Sequence, residues 1–390
     1  MKRTMAPSSR VTRLLYLASL AMALGACKKK NVTPKAEPIA IAPSSIAYVT
    51  NNGSDTIAAI DRDGTAVVMR SVDVDPTAHE APHHLAADGA GHVFVALAFP
   101  PEDAPTGGKH AGHGGSDSAG ELLRLDARSL GVEMSRDVDQ NPGDVVLTHD
   151  RTRVLVTHFD MRRAMREAKA GAATSKMYAR LLVLDARTLE QIAARPVCVA
   201  PHGVAISKDD ALAAIACYGS DEIALVDLRS PELPVAHVPI ATGAGVPGAP
   251  RFGPYSVAIA ADGRRALVAD MESDDVRVLD LAKREFEDTV VPLGARAMMP
   301  DFVDAEDALV PLQSPDGLAL VTLDGTVKRR VAFGAECKNP HVARVATDGR
   351  AYVVCEGDHV APGAVIQVDP VTLAIQKRWV VGVYPDGIAF

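Results

Sequence analysis

The sequence predicts an all-β fold: a seven-bladed β-propeller of four-stranded blades, the first blade closed by the last strand of the chain. Three observations carry this expectation. A proline-led pattern returns seven times, an aspartate closes a later apolar run in each unit, and the two ends of the chain read as parts of one unit.

The clearest copies of the pattern are Pro82-His83-His84-Leu85-Ala86-Ala87-Asp88-Gly89, Pro201-His202-Gly203-Val204-Ala205-Ile206 and Pro340-His341-Val342-Ala343-Arg344-Val345. Weaker copies start at Pro142, Pro254, Pro300 and Pro385. Each reads as a proline, a polar or aromatic residue, a short apolar strand and then, usually, an Asp-Gly-type turn, in which Gly supplies a positive φ without steric cost. The closing aspartates are Asp126, Asp185, Asp227, Asp280, Asp324 and Asp369, with Asp61 as an early seventh. From proline to aspartate the spacings are 44, 43, 26, 26, 24 and 29 residues. Two inserts, 99–119 and 160–177, account for the two long values. Residues 46–390 divided among seven units give about 49 residues each, close to a four-stranded propeller blade. Within a unit, four short apolar runs are separated by turn residues, as at 202–207, 211–217, 222–228 and 233–240.

The chain ends fit this scheme. Ile46-Ala-Tyr-Val-Thr-Asn51 matches the second strand of a unit, whereas Pro385-Asp386-Gly387-Ile388-Ala389-Phe390 matches a first strand alone. Pairing the two would close the ring and leave no long sheet edge exposed.

Tyr48-Val49-Thr50-Asn51 is the signature of the YVTN-type propeller repeat family, and residues 201–213 are similar to the rest of that repeat. The resemblance covers 46–390. It implies a seven-bladed propeller of the bacterial surface or periplasm, a group that includes lactonase-like propellers. It does not imply one activity, because the fold hosts lactonases, dehydrogenase subunits and binding modules.

Ahead of the repeats, residues 1–26 read as a targeting segment: Lys2, Arg3, Arg10 and Arg13, then an apolar run from Leu14 to Leu24 too short to span a bilayer. Leu24-Gly25-Ala26-Cys27 resembles a lipobox, which implies lipidation of Cys27 and an envelope protein held at a membrane by its acyl chains, facing the periplasm or exterior, with the outer membrane favoured. Residues 27–45, with Lys28, Lys29 and Lys30, read as the lipidated Cys and a tether. No later segment is apolar enough to cross a membrane. A net charge of -8 with 4% aromatic residues and no basic stripe argues against nucleic-acid binding. A monomeric propeller is expected.

The remaining cysteines are Cys198, Cys217, Cys337 and Cys355. One of each pair lies three residues before a repeat proline and the other ends the second strand of the same unit, which predicts disulfides 198–217 and 337–355 in an oxidising compartment. The alternatives are a four-Cys metal site, disfavoured by the absence of Cys-x-x-Cys, and reduced core thiols. Insert 99–119 is a Pro/Gly/Ser-rich loop carrying His110 and His113, and insert 160–177 is made of strong helix formers up to Gly171.

Strand direction alternates within a blade, so the start of each first strand, both inserts and both cysteine pairs share one face, around the central channel. The residues following the repeat prolines form a ring of candidates: His83 and His84, Asp144, His202, Tyr255, Asp301, His341 and Asp386. Imidazoles suit zinc, copper or iron and carboxylates suit calcium or magnesium, so a divalent or transition metal ion at the channel mouth is the cofactor this set would take. A water-lined polar channel is the alternative. No cofactor-binding motif is present: Gly243-Ala-Gly245-Val-Pro-Gly248 carries Pro247 and no following helix, and no nucleophile elbow or haem motif occurs. The favoured function is a membrane-anchored extracytoplasmic scaffold that binds a protein or small-molecule ligand through its insert-bearing face and channel mouth, rather than an enzyme. The alternatives are a metal-assisted hydrolase of lactonase type and an accessory subunit of an electron-transfer enzyme.

Overall fold

A computed structural model describes residues 37–75, 77–100, 115–243 and 245–390. Cys27, the targeting segment, His110 and His113 lie outside the described residues. Seven antiparallel sheets follow one another around a closed ring. Blade 1 is built from Pro385–Ala389, Ile46–Asn51, Thr56–Asp61 and Val67–Ser71, running outward from the axis. The last strand pairs with the YVTN strand, Tyr48 opposite Ala389 and Val49 opposite Ile388.

Blades 2 to 5 and 7 begin with the inner strands Pro82–Ala87, Pro142–Leu147, Pro201–Ile206, Pro254–Ile259 and Pro340–Val345. Blade 6 departs from the expected pattern. Its inner strand is reduced to two short pieces, Arg296–Ala297 and Asp301–Phe302, both paired with Asp307–Gln313. Between them the chain turns to the next blade: Met299 N donates to His341 O, and Ala343 N donates to Met299 O.

The second strands are buried along almost their whole length, as in Leu212–Cys217, because both of their faces are covered by neighbouring blades. Apolar clusters fill the interfaces between adjacent blades, for example Leu155, Leu181, Val183, Ile215 and Val226 between blades 3 and 4. Another cluster joins blades 7 and 1 and extends to Phe159, Tyr218, Tyr255, Met271, Met298 and Met299. Trp379 is buried in it beside Tyr352, which makes it a packing residue.

The recurring aspartates are turn caps. Asp126, Asp185, Asp280 and Asp369 each accept two backbone N–H groups from the residues two and three positions on, and Asp227 and Asp324 accept one. An Asx cap of this kind closes the hairpin between third and fourth strands. On the same face, Gly89, Gly263 and Gly349 of the Asp-Gly turns take φ of 62°, 66° and 80°.

On the opposite face lie insert 160–177, the described ends of the other insert and the disulfides. Cys198–Cys217 and Cys337–Cys355 are both formed, with Cα atoms 5.8 and 5.1 Å apart. Insert 160–177 contains a helix, Met161–Lys169, capped by Asp160, whose side chain accepts from Arg163 N. Residues 245–248 lie between blades 4 and 5, and Gly245 N donates to Asp221. At the described end of the stretch read as a tether, Ile39 and Ile41 are buried against blades 1 and 2, and Ile39 N donates to Arg128 O. These residues are docked on the propeller. Among the described residues no helix is long and apolar enough to cross a membrane.

Candidate metal centre

The site is made by one local device, repeated. In six blades the register slips by one residue just after the inner-strand proline. In blade 4, Pro201 pairs with Cys217 but Val204 pairs with Ile215, three steps against two. The same slip follows Pro82, Pro142, Pro254, Pro340 and Pro385. An extra residue of this kind is a β-bulge, which bends the strand and re-aims side chains. The chain enters each bulge through a residue in the left-handed region, with φ between 46° and 61°: Ala81, Asn141, Ala200, Gly253, Asn339 and Tyr384. Threonines of the second strands support the bulges. Asp144 N donates to Thr157 Oγ1 at 2.9 Å, Gly387 N to Thr50 Oγ1 at 2.8 Å, and Thr157 Oγ1 to His202 O at 2.5 Å.

Four imidazoles and Asp386 meet at the axis, each side chain at most 3% exposed. Potential ligand atoms of His83, His84 and His202 lie within 4.8 Å of one another, and so do those of His84, His341 and Asp386. Ring centroids are 4.3 Å apart for His83–His84, 5.8 Å for His83–His202, 5.5 Å for His84–His202 and 5.7 Å for His84–His341. A zinc-like ion about 2.0–2.1 Å from each nitrogen, in tetrahedral geometry, sets ring centroids about 5 Å apart. The observed spacings bracket that value.

In each ring, Nδ1 faces an oxygen acceptor. His83 Nδ1 meets Asp386 Oδ2; His341 Nδ1 lies 2.8 Å from Asp386 Oδ1 and 3.0 Å from Glu356 Oε1; His84 Nδ1 lies 3.3 Å from Asp144 Oδ1; His202 Nδ1 lies 3.2 Å from Tyr255 O. A proton held on Nδ1 puts the lone pair on Nε2, and carboxylate- or carbonyl-anchored histidines of this kind are the usual metal ligands. His84 Nε2 is buried without a hydrogen-bond partner. Tyr255 stacks on His202 at 3.9 Å, and its hydroxyl is 3.1 Å from His341 Nε2.

The electrostatics treat His84 and His341 differently. Burial, reinforced by His83, His202 and His341, holds the His84 pKa well below the usual histidine value. Burial alone would lower His341 too, but Glu356 and Asp386 outweigh it and its pKa is raised. Burial also raises the Asp144 carboxyl, and it raises the Tyr255 phenol well above its usual value.

Of the residues that the sequence nominated, His83, His84, His202, His341 and Asp386 come together; Asp144 and Tyr255 support them from behind. Asp301 does not join either ligand group. Its two oxygens accept from Phe302 N and Val345 N, which ties the broken inner strand of blade 6 to blade 7. Sequence reasoning missed Glu356 and Thr157. Thr157 sits near the end of a second strand and recurs only as Thr50 in blade 1, and Glu356 lies just past the end of another, too sparse a signal to mark either. Glu356 directly follows Cys355, so the disulfide partner was its one available signal.

No protein-family model matches the chain, and no curated protein matches it. Solved structures do. The periplasmic gluconolactonase of Pseudomonas aeruginosa is 17% identical, with 88% of this chain and 98% of that chain covered and a TM-score of 0.60. A putative 6-phosphogluconolactonase from Bacteroides fragilis is 13% identical, covering 90% and 99%, with a TM-score of 0.62. Hydrazine synthase of Kuenenia stuttgartiensis is 16% identical, covering 83% and 93%, with a TM-score of 0.60. Likeness at these identities establishes one thing, the seven-bladed β-propeller fold itself.

Proposed function

We propose that this protein is an extracytoplasmic propeller that binds a divalent transition-metal ion, of the zinc or copper class, at the inner end of its channel. The observation that carries this reading is the set of four buried imidazoles, each with Nδ1 facing an oxygen, gathered with Asp386 in two ligand groups that share His84. Nitrogen-rich sites favour copper, zinc or nickel over calcium or magnesium. Burial of every ligand separates this reading from the lactonase-type hydrolase, since a catalytic metal keeps a position open to substrate. Holding or carrying the ion is the function that a closed site serves. Two disulfides fit an oxidising compartment. Delivery to the envelope as a lipoprotein through Cys27 rests on the signal segment, and loss of acyl labelling in Cys27→Ser tests it.

The decisive experiment is metal analysis of the mature protein, stripped and then reloaded with Zn²⁺ or Cu²⁺. One tightly held ion per chain, lost when His202 and His341 are both changed to Ala, is the expected result. Protein that retains no stoichiometric metal overturns the reading and returns the channel to a polar, water-lined role.

A further inference from the structure

From the buried site a line of groups runs outward to His359, a residue that the four-histidine reading does not use. His359 Nε2 lies 2.8 Å from Glu356 Oε2, Glu356 Oε1 lies 3.0 Å from His341 Nδ1, and His341 Nδ1 lies 2.8 Å from Asp386 Oδ1. Asp386 Oδ2 then meets His83. Imidazole and carboxylate alternate along this line: His359, Glu356, His341, Asp386, His83. Exposure falls from the surface to the middle of the line, with side chains 13% exposed at His359, 7% at Glu356 and 0% at His341 and Asp386, and His83 at the inner end is 3% exposed. Next to His359 the chain reaches solvent, where Val360 is 79% exposed.

The outer end of the line is held in place. The His359 ring stacks on Tyr384, centroids 3.7 Å apart and planes 12° from parallel, and Tyr384 leads into Pro385 and Asp386. Glu356 follows Cys355, whose disulfide to Cys337 pins the end of that strand, and Glu356 N donates to Asn339 O. A solvated surface histidine would have no need of these restraints.

We infer that His359 and Glu356 form an outer metal-docking station, through which a divalent transition ion enters and leaves the buried histidine site. This inference rests on the metal-binding reading above. The ion exchanges water for His359 and Glu356 at the surface. It then passes to His341 and Asp386 by ligand replacement, each carboxylate bridging the step with its second oxygen. No bond other than coordination is made or broken, and the ion keeps its charge and oxidation state. The two groupings that share His84, one with His341 and Asp386 and one with His83 and His202, are the inner stations of the same path.

The test follows Co²⁺ uptake by the full-length metal-free protein in stopped flow, read by the visible absorption of the bound ion, and its release into excess chelator. His359→Phe keeps the ring stacked on Tyr384 but removes both nitrogens, and His359→Ala removes both ring and nitrogens. A residue on the route changes uptake and release alike, so both rates should fall about tenfold or more with their ratio unchanged. Wild-type rates in His359→Phe would overturn the route and leave the buried site standing. A weaker affinity caused only by faster release would also overturn it, since that makes His359 part of the resting site. If the wild-type protein takes up no Co²⁺, the metal-binding reading fails first and the route goes with it. Unchanged thermal unfolding of His359→Phe separates either outcome from misfolding.

Discussion

Asp386 and His341 lie 45 positions apart in sequence and in different blades, yet Asp386 Oδ1 stands 2.8 Å from His341 Nδ1. The same carboxylate turns its other oxygen to His83 in a third blade. One side chain on the strand that closes the ring thus orients two of the four imidazoles, and closing the fold and assembling the site become a single event.

Asp386→Asn keeps the shape of this carboxylate and removes its charge. Loss of an outer carboxylate behind metal-bound histidines costs about 10–100-fold in affinity. Competition with a chelator of known strength should show a loss in that range for Zn²⁺, with the metal-free variant still folded by circular dichroism. Affinity equal to wild type would remove Asp386 from the site.

His158 offers a separate probe of pH. It is buried, its Nδ1 is 2.7 Å from Arg180 O, and burial lowers its pKa below the ordinary 6.5. The unfolded chain therefore takes up the proton first. Stability contributed by the neutral ring is complete above pH 6.5 and is lost as pH falls from there toward the lowered folded value. One proton is worth about 1.4 kcal/mol per pH unit within that window. In urea titrations between about pH 7 and about pH 5, His158→Gln should have a shallower stability slope than wild type by up to this amount. An unchanged slope would mean that His158 is already protonated in the folded protein.

Each disulfide closes a short loop, with partners 19 and 18 positions apart. Removing either one by paired Cys→Ser changes should cost about 3 kcal/mol in denaturant unfolding. Loss of Cys337–Cys355 should in addition slow Co²⁺ uptake, because it frees the strand end that carries Glu356. Loss of Cys198–Cys217 should not.

Gly203 sits in the bulge of blade 4, where a Cβ would meet Ser256 Oγ at 2.7 Å and Ser256 Cα at 2.8 Å. The neighbouring inner strand cannot yield without displacing Tyr255, which stacks on His202. Gly203→Ala should destabilise by about 1–3 kcal/mol and weaken metal binding together. A full-strength metal site in this variant would show that the inner strands are looser than their spacing implies.

Much of the candidate site was legible in the chain. The repeat prolines located the inner strands, and the residues after them supplied His83, His84, His202, His341 and Asp386. Glu356 and Thr157 were not legible, because each depends on which second-strand end faces which neighbour. Asp301 was nominated by position alone. In the folded chain the inner strand of blade 6 breaks at Met298–Pro300, and the Asp301 carboxylate caps backbone N–H groups instead.

The sequence by itself determined the number of blades, the closing strand and both disulfide pairings. These follow from periodicity and from strand direction, which any chain must obey. Only the tertiary structure decided that the residues following the prolines turn inward as a cluster. That turn needs a bulge and a left-handed residue at the start of each of six inner strands. Asn141, Gly253 and Asn339 are residue types that favour this backbone state, whereas Ala81, Ala200 and Tyr384 adopt it because neighbouring blades impose it through packing and backbone pairing.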